Sequence, residues 1–407
     1  MKTVPNHKNN IGELAIFGAG SLFRAPKSTS NLVRPDFDAF LDYSKVFFER
    51  HQYTNNGALV KLLEQRLADF HQTAFCVTFC SGFWGLVLAM TALASKGKSE
   101  VIMPSLTYRR MADIASWAKL TPHFCEVEEA TLAQSAATVR SCINSDTALI
   151  VAVHPFVNCC EVEELVALAS ERNIPLLFDS VESPYEYVGG GKVGGFGDAE
   201  CFSLHASKLL NGFEGGYLTT NSAALASQLA LMRGFGFEGE DNVKIPNGLN
   251  AKMNEIHAAM ALACLDDLEH QVARNRQRYH TYKALLADLP GIRLVEFQEN
   301  SPTSFKNILV EFLDAWPISR DETIAIMNAE KIYARAYYSP PLHRKQKAFA
   351  SVSADMSLTD RLAEKYALLP CGEQVSNDDI REIVGLLGFI NANAGQIQAR
   401  LRESGKE

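Results

Sequence analysis

The stretch CFSLHASKLLNGFEGGYLTT, residues 201–220, sets a single basic residue, Lys208, inside a run of small and apolar ones. A lysine there either lays its stem along the core and leaves its ammonium in water, or is an amine discharged by burial so that it can attack a carbonyl and carry protons. Four other positions bear on that choice. Asp179 closes the apolar run PLLFD; it is either a cap or a buried partner for a protonated ring nitrogen. Ser81-Gly82 opens an apolar helical run, where the serine caps the helix or the first free N–H groups hold an anion. Tyr108, in PSLTYRR, is core packing or the cover of a flat ring. Arg109, next to it, is a solvated charge or a fork for a carboxylate or phosphate.

These residues need elements to hold them. From about 55 to 220 the chain alternates helical periodicity, as in ALVKLLEQRLADF, with short apolar runs such as FCVTF, EVIMP, ALIVAVH and PLLFD. That alternation predicts an α/β domain whose central strands are covered on both faces. Ligands of such sheets bind beyond the carboxyl ends of the strands, where Asp179, Ser81-Gly82 and Tyr108 all fall. Together they suit one ligand, with a planar ring, a phosphate, a basic ring nitrogen and a carbonyl that an amine can trap: pyridoxal 5′-phosphate.

Around this domain, residues 1–52 read as an irregular arm and 53–252 as the large domain. One long amphipathic connecting helix is expected over 253–290, ended by Pro290-Gly291, and 291–407 as a smaller α+β domain. The 407 residues are 47% hydrophobic and 21% charged, which fits a globular chain. A net charge of −8 argues against a nucleic-acid partner, and the one dense basic run, HRKQK at 343–347, is too short to reverse this. Nine scattered cysteines suggest reduced thiols in a cytoplasm. Cys76/Cys80 and Cys159-Cys160 lack the second ligand pair a zinc site needs, so no metal is expected. The start has no signal-peptide core, and the longest apolar run is half a membrane span.

The block FDSVES…GGKVGGFGDAECFSLHASKLLNGFEGGYLTTN resembles the active-site region of the DegT/DnrJ/EryC1/StrS aminotransferases. CSGFWGLVLAM, VIMPSLTYRRMADIA, GLNAKMNEIHAAMALACLDDLE and ARAYYSPPLH occur in the order that family uses, so the likeness spans about residues 53 to 390. The resemblance implies a fold-type-I, pyridoxal-phosphate-dependent transferase with a mixed, mostly parallel central sheet. It implies transfer of an amino group from an amino acid to a keto sugar, cyclitol or related natural-product intermediate. By it, Lys208 is the Schiff-base lysine, Asp179 the partner of the pyridinium nitrogen and Tyr108 the residue stacked on the ring. Ser203 and the N–H groups of Gly82 and Phe83 bind the phosphate. Asn250 reaches the phosphate of a neighbouring subunit, which implies an obligate homodimer with shared active sites.

Some positions depart from the family pattern. Phe83 and Trp84 stand where a threonine and a small residue are expected, which removes a phosphate hydroxyl and sets Trp84, with Arg109, among the candidate substrate contacts. Glu182 falls beside the cofactor's 3′-oxygen, where a carboxylate repels a phenolate unless one of them holds a proton. Two further readings stay open: another reaction on the same cofactor, such as decarboxylation, elimination or carbon–carbon bond formation, and a non-catalytic cofactor-binding regulator. The presence of Lys208 disfavours dehydration, and the lack of a helix-turn-helix or basic arm disfavours the regulator.

Overall fold

The computed structural model describes residues 8–239, 242–403 and 405; the first seven residues of the expected arm lie outside them. Seven strands follow the apolar runs: β1 Phe75–Phe79, β2 Glu100–Pro104, β3 Thr121–Cys125, β4 Thr147–Val153, β5 Leu176–Asp179, β6 Ala199–Ser203 and β7 Gly216–Thr220. They pair in the order β3-β2-β4-β5-β6-β7-β1. All run parallel except β7, which is antiparallel to both its neighbours. In β4 every residue is buried, and alternate side chains enter different clusters. Leu149, Val151 and Val153 join the core under one face, and Ile150 and Ala152 the core under the other. A strand covered on both sides has no polar face to alternate with, which is why its sequence is continuously apolar.

The smaller sheet is built from β8 Ile292–Leu294, β9 Ile308–Phe312, β10 Arg335–Ala336 and β12 Tyr366–Leu369, in the antiparallel order β8-β9-β12-β10. Between β10 and β12 the chain returns to the large domain. There β11, Val352–Ser353, adds a parallel eighth strand beside β3, and Leu342 and Met356 enter the large-domain core.

Two expectations need correction. The arm is not irregular throughout: α1, Phe37–Arg50, is a helix whose cap, Asp36, accepts a hydrogen bond from Ala39 N at 2.8 Å. Phe40, Tyr43 and Phe47 share one side of it and pack on the same core as Leu262, a spacing that fits a helical stripe. Before α1, Lys27–Ser28 pairs in parallel with Ile332–Tyr333 of the small domain. The expected single helix over 253–290 is two: helix Glu255–Asp266, then helix Leu268–Leu286. The first is not amphipathic, since every residue from Ala258 to Cys264 is buried. The join is a pair of carboxylates drawn to different neighbours: Asp266 accepts from Arg66 at 2.6 Å and Tyr43 at 2.9 Å, while Asp267 holds His270 at 3.0 Å and Arg274 at 3.2 Å.

Candidate active site

The carboxyl ends of β1, β5 and β6 and the start of the antiparallel β7 come together at one edge of the large sheet. Helix α2, Gly82–Leu93, begins there, with Ser81 Oγ accepting from Trp84 N at 3.3 Å. A helix offers no internal acceptor to its first N–H groups, so those of Gly82 and Phe83 remain for another partner. Packing around them is close. A Cβ added to Gly82 would lie 3.2 Å from Phe202 O and 3.3 Å from Ser203 Cβ, and one added to Gly216 would lie 2.3 Å from Gly82 N. Glycine at both positions lets the helix start, Ser203 and the β7 start converge. Such a cradle of N–H groups and a hydroxyl suits a phosphate.

Asp179 ends β5 and is nearly fully buried. Burial pushes its carboxyl up to about 6, although Val181 N donates to Oδ1 at 3.3 Å and the Lys208 charge pulls the other way. Behind it, His154 stacks on Phe178 with ring centroids 5.4 Å apart and donates its backbone N–H to Asp179 O at 3.0 Å. Glu200, also buried, ties Ser180 to the backbone of Gly194 and Phe196. A buried carboxylate on a backbone fixed on both sides is the arrangement that would keep a ring nitrogen protonated.

Lys208 stands in a tight loop between β6 and β7, braced by bonds from Lys208 N to His205 O at 2.8 Å and from Ala206 N to Phe213 O at 3.0 Å. The arm lies against this loop: Asn31 N donates to Ser207 O at 3.1 Å, Leu32 N to Ala206 O at 3.2 Å, and Asn211 Nδ2 to Val33 O at 2.9 Å. Lys208 Nζ does not turn out to water. It donates to Oε1 of Glu182, whose other oxygen accepts from Lys306 Nζ at 2.9 Å and Asn307 Nδ2 at 3.3 Å. Burial alone would raise the Glu182 carboxyl, but Lys208 and Lys306 outweigh it and hold the group well below the usual carboxylate range. Lys306 and Asn307 sit at the entry to β9 in the small domain, so the cluster spans both domains. Sequence reasoning passed over them, although Lys306 carries the mark that drew attention to Lys208: one basic residue in an apolar run, TSFKNILVEF.

The other expected residues lie at different distances from this cluster. Tyr108 is exposed in the turn after β2 and so is not core packing. Trp84 meets Trp117 edge-on at 5.2 Å, and Phe83 packs against Trp84. That turn is docked to the segment after β10: Leu342 N donates to Ser105 O at 3.0 Å, and Ser105 Oγ lies 2.8 Å from His343 Nδ1. The dock brings the HRKQK run beside the Tyr108 turn. Arg110 pairs with Asp113 and Arg344 with Asp360, while Lys347 caps the carbonyls of Leu342, His343 and Lys345. Arg109 and Lys345 have no such partner among the described residues; burial, then the neighbouring Arg109 charge, push the Lys345 ammonium below its usual range. Asn250 is apart from all of these, exposed and bonded to Lys252 Nζ at 2.7 Å.

The fold is that of a known class of transferase. The model of the DegT/DnrJ/EryC1/StrS aminotransferase family matches residues 39–387, and the chain belongs to that family of pyridoxal-phosphate-dependent enzymes. Its relatives include a dTDP-4-amino-4,6-dideoxy-D-glucose transaminase of Shigella dysenteriae, 29% identical over 87% of this chain and 96% of that protein. A GDP-perosamine synthase of Caulobacter vibrioides is 26% identical over 81% and 90%. Among solved structures, DesI in the presence of its TDP-sugar product superposes with a TM-score of 0.90 at 31% identity, covering 97% of this chain and all of that one.

Proposed function

We propose that this chain transfers an amino group from an amino acid to a nucleotide-linked keto sugar, with pyridoxal 5′-phosphate carried on Lys208. The observation that supports this most is Lys208 Nζ lying against Glu182 at the sheet edge that Asp179 closes. The names of the relatives supply the sugar. When bound, the cofactor supplies an aldehyde for the amine and an electron sink for the carbon that loses its proton. Lys208 Nζ would move that proton as base and then as acid. Asp179 would hold the ring nitrogen and favour its protonated form. Ser203 Oγ and the N–H groups of Gly82 and Phe83 take the phosphate, and Tyr108 covers the ring.

Arg109 and Lys345 are assigned to the phosphates of the acceptor, since two adjacent cations that no carboxylate pairs directly, with Asp113 acting on Lys345 only through space, favour an anion between them. Trp84, packed on Trp117, is the less direct of the two expected substrate contacts. A homodimer that brings Asn250 to the neighbouring copy's phosphate is supported by the exposed aromatic side chains of Phe37, Phe48, Tyr53, Phe235 and Phe237. Nine cysteines, all free, support a reducing compartment such as the cytoplasm.

The test is spectroscopic and chemical. Purified protein given the cofactor should turn yellow, lose that band with glutamate or glutamine, and aminate the 4-keto counterpart of the sugar named for the Shigella relative. A colourless protein would end the cofactor assignment. A coloured one that never loses its band with any donor would favour another reaction on the same cofactor.

A further inference from the structure

The charges around Glu182 do not balance in the way one carboxylate and one lysine would. Two ammonium groups, Lys208 and Lys306, share it, and both Glu182 and Lys306 have side chains only 5% exposed. Lys306 is further fixed by Asn307 Oδ1 at 3.1 Å, and Asn307 by Phe156 O at 3.0 Å. The remaining titratable groups facing the cluster are Asp179 in the large domain, Tyr337 and Tyr338 before β11, and Cys371 after β12. None of these is a second strong cation. Once the nitrogen of Lys208 carries the cofactor it is no longer a free ammonium, and Lys306 is the remaining lysine on Glu182.

We propose that Lys306 is a positioning residue: it offsets the charge of Glu182 and holds that carboxylate against Nζ of Lys208 through the whole reaction, so that the seating of the small domain sets the proton affinity of the reacting nitrogen. The inference rests on Lys208 being the cofactor-bearing lysine. It also removes the difficulty posed by a carboxylate beside the cofactor's 3′-oxygen, because the Lys306 charge offsets that of Glu182 where burial leaves water little part in the screening. Lys306 acts through Glu182 and touches no reacting atom.

The experiment is a pH titration of the visible absorbance of the holoenzyme. Lys306→Met, which keeps the length of the stem, should raise the midpoint by about one pH unit or more, since an unscreened carboxylate favours the protonated nitrogen. Lys306→Gln, a second variant in case the first does not fold, should do the same, and Lys306→Arg should restore the wild-type midpoint. In a Glu182→Gln background Lys306 has lost its carboxylate and burial discharges it, so Lys306→Met should then shift the midpoint little. Equal shifts in both backgrounds, or none in the first, would overturn the proposal. A wild-type protein that takes up no colour would overturn it together with the assignment of Lys208, so the two failures are told apart.

Discussion

Asp179 and Glu182 are three residues apart, both buried, and electrostatically opposite. One is pushed up to about 6 and the other held well below the ordinary range. Burial acts on both in the same direction. The difference is the company: Glu182 has two lysine amines within bonding reach, whereas Asp179 accepts a single long bond from a backbone N–H and feels Lys208 only through space. Depth in the protein is therefore a poor guide to the charge state of a carboxylate here. The placement of cations decides it, and one of the two comes from the other domain.

That contrast can be broken from either side. The largest effect is expected from Lys208→Ala, which removes the amine proposed to move the proton and should cut transfer by about 10⁴-fold or more in a single-turnover assay. Asp179→Asn should slow transfer by about 10³-fold, since the ring nitrogen loses its anionic partner. The same substitution should stabilise the cofactor-free protein. A carboxyl whose folded pKa is raised from 3.8 to about 6 contributes stability that is complete below about pH 4 and lost as the pH rises through 6, a span of about 3 kcal/mol. Asparagine has no such loss, so its advantage in urea melts should be present at pH 8 and absent at pH 4.

Glu182 carries the opposite sign. Its folded pKa is depressed, so its contribution is present above the usual glutamate range and disappears as the pH falls. Glu182→Gln should cost about 3 kcal/mol at pH 7, because the buried Lys306 loses its carboxylate and must shed its proton, and less at pH 10, where that proton leaves more easily. Urea melts of the cofactor-free variant at the two pH values check this, and an equal cost at both would mean that Lys306 is not the cause. The smallest effect belongs to a position far from both carboxylates: Arg109→Ala should raise KM for the keto sugar about tenfold, the size of one charged hydrogen bond. It should leave the reaction with the amino donor unchanged, and a change there would place Arg109 nearer the cofactor.

Much of this was legible in the residues. The strand runs, the sheet edge they close, Asp179 and Lys208 follow from apolar continuity and from one basic residue set among small ones. Lys306 bears the same local mark, but nothing nearby in the chain showed what it faced, since its partner Glu182 stands far upstream in another domain. The helix Phe37–Arg50 was masked by polar residues between its aromatic positions, and at the break Asp266 is bonded to Tyr43 and Arg66 of other helices. Both are tertiary effects that a local pattern does not carry. The docking of the basic run 343–347 beside Arg109 depends on Ser105 and His343, which are distant in sequence.

The loop of Lys208 is held on its outer side by Asn31 and Leu32, and that strand of the arm is in turn gripped by the far end of the chain, where Cys371 N donates to Ser28 O at 3.2 Å and Glu373 N to Asn31 O at 2.8 Å. Residues 28–32 and 371–373, far apart in sequence, thus meet behind the Lys208 loop. The arm's own bonds to the Lys208 loop need nothing beyond it, whereas the second layer that grips the arm comes from residues 371–373. The seating of the Lys208 loop therefore draws on the small domain at second hand, and a fragment that lacks residues 371–373 should hold Asn31 and Leu32 less firmly against it.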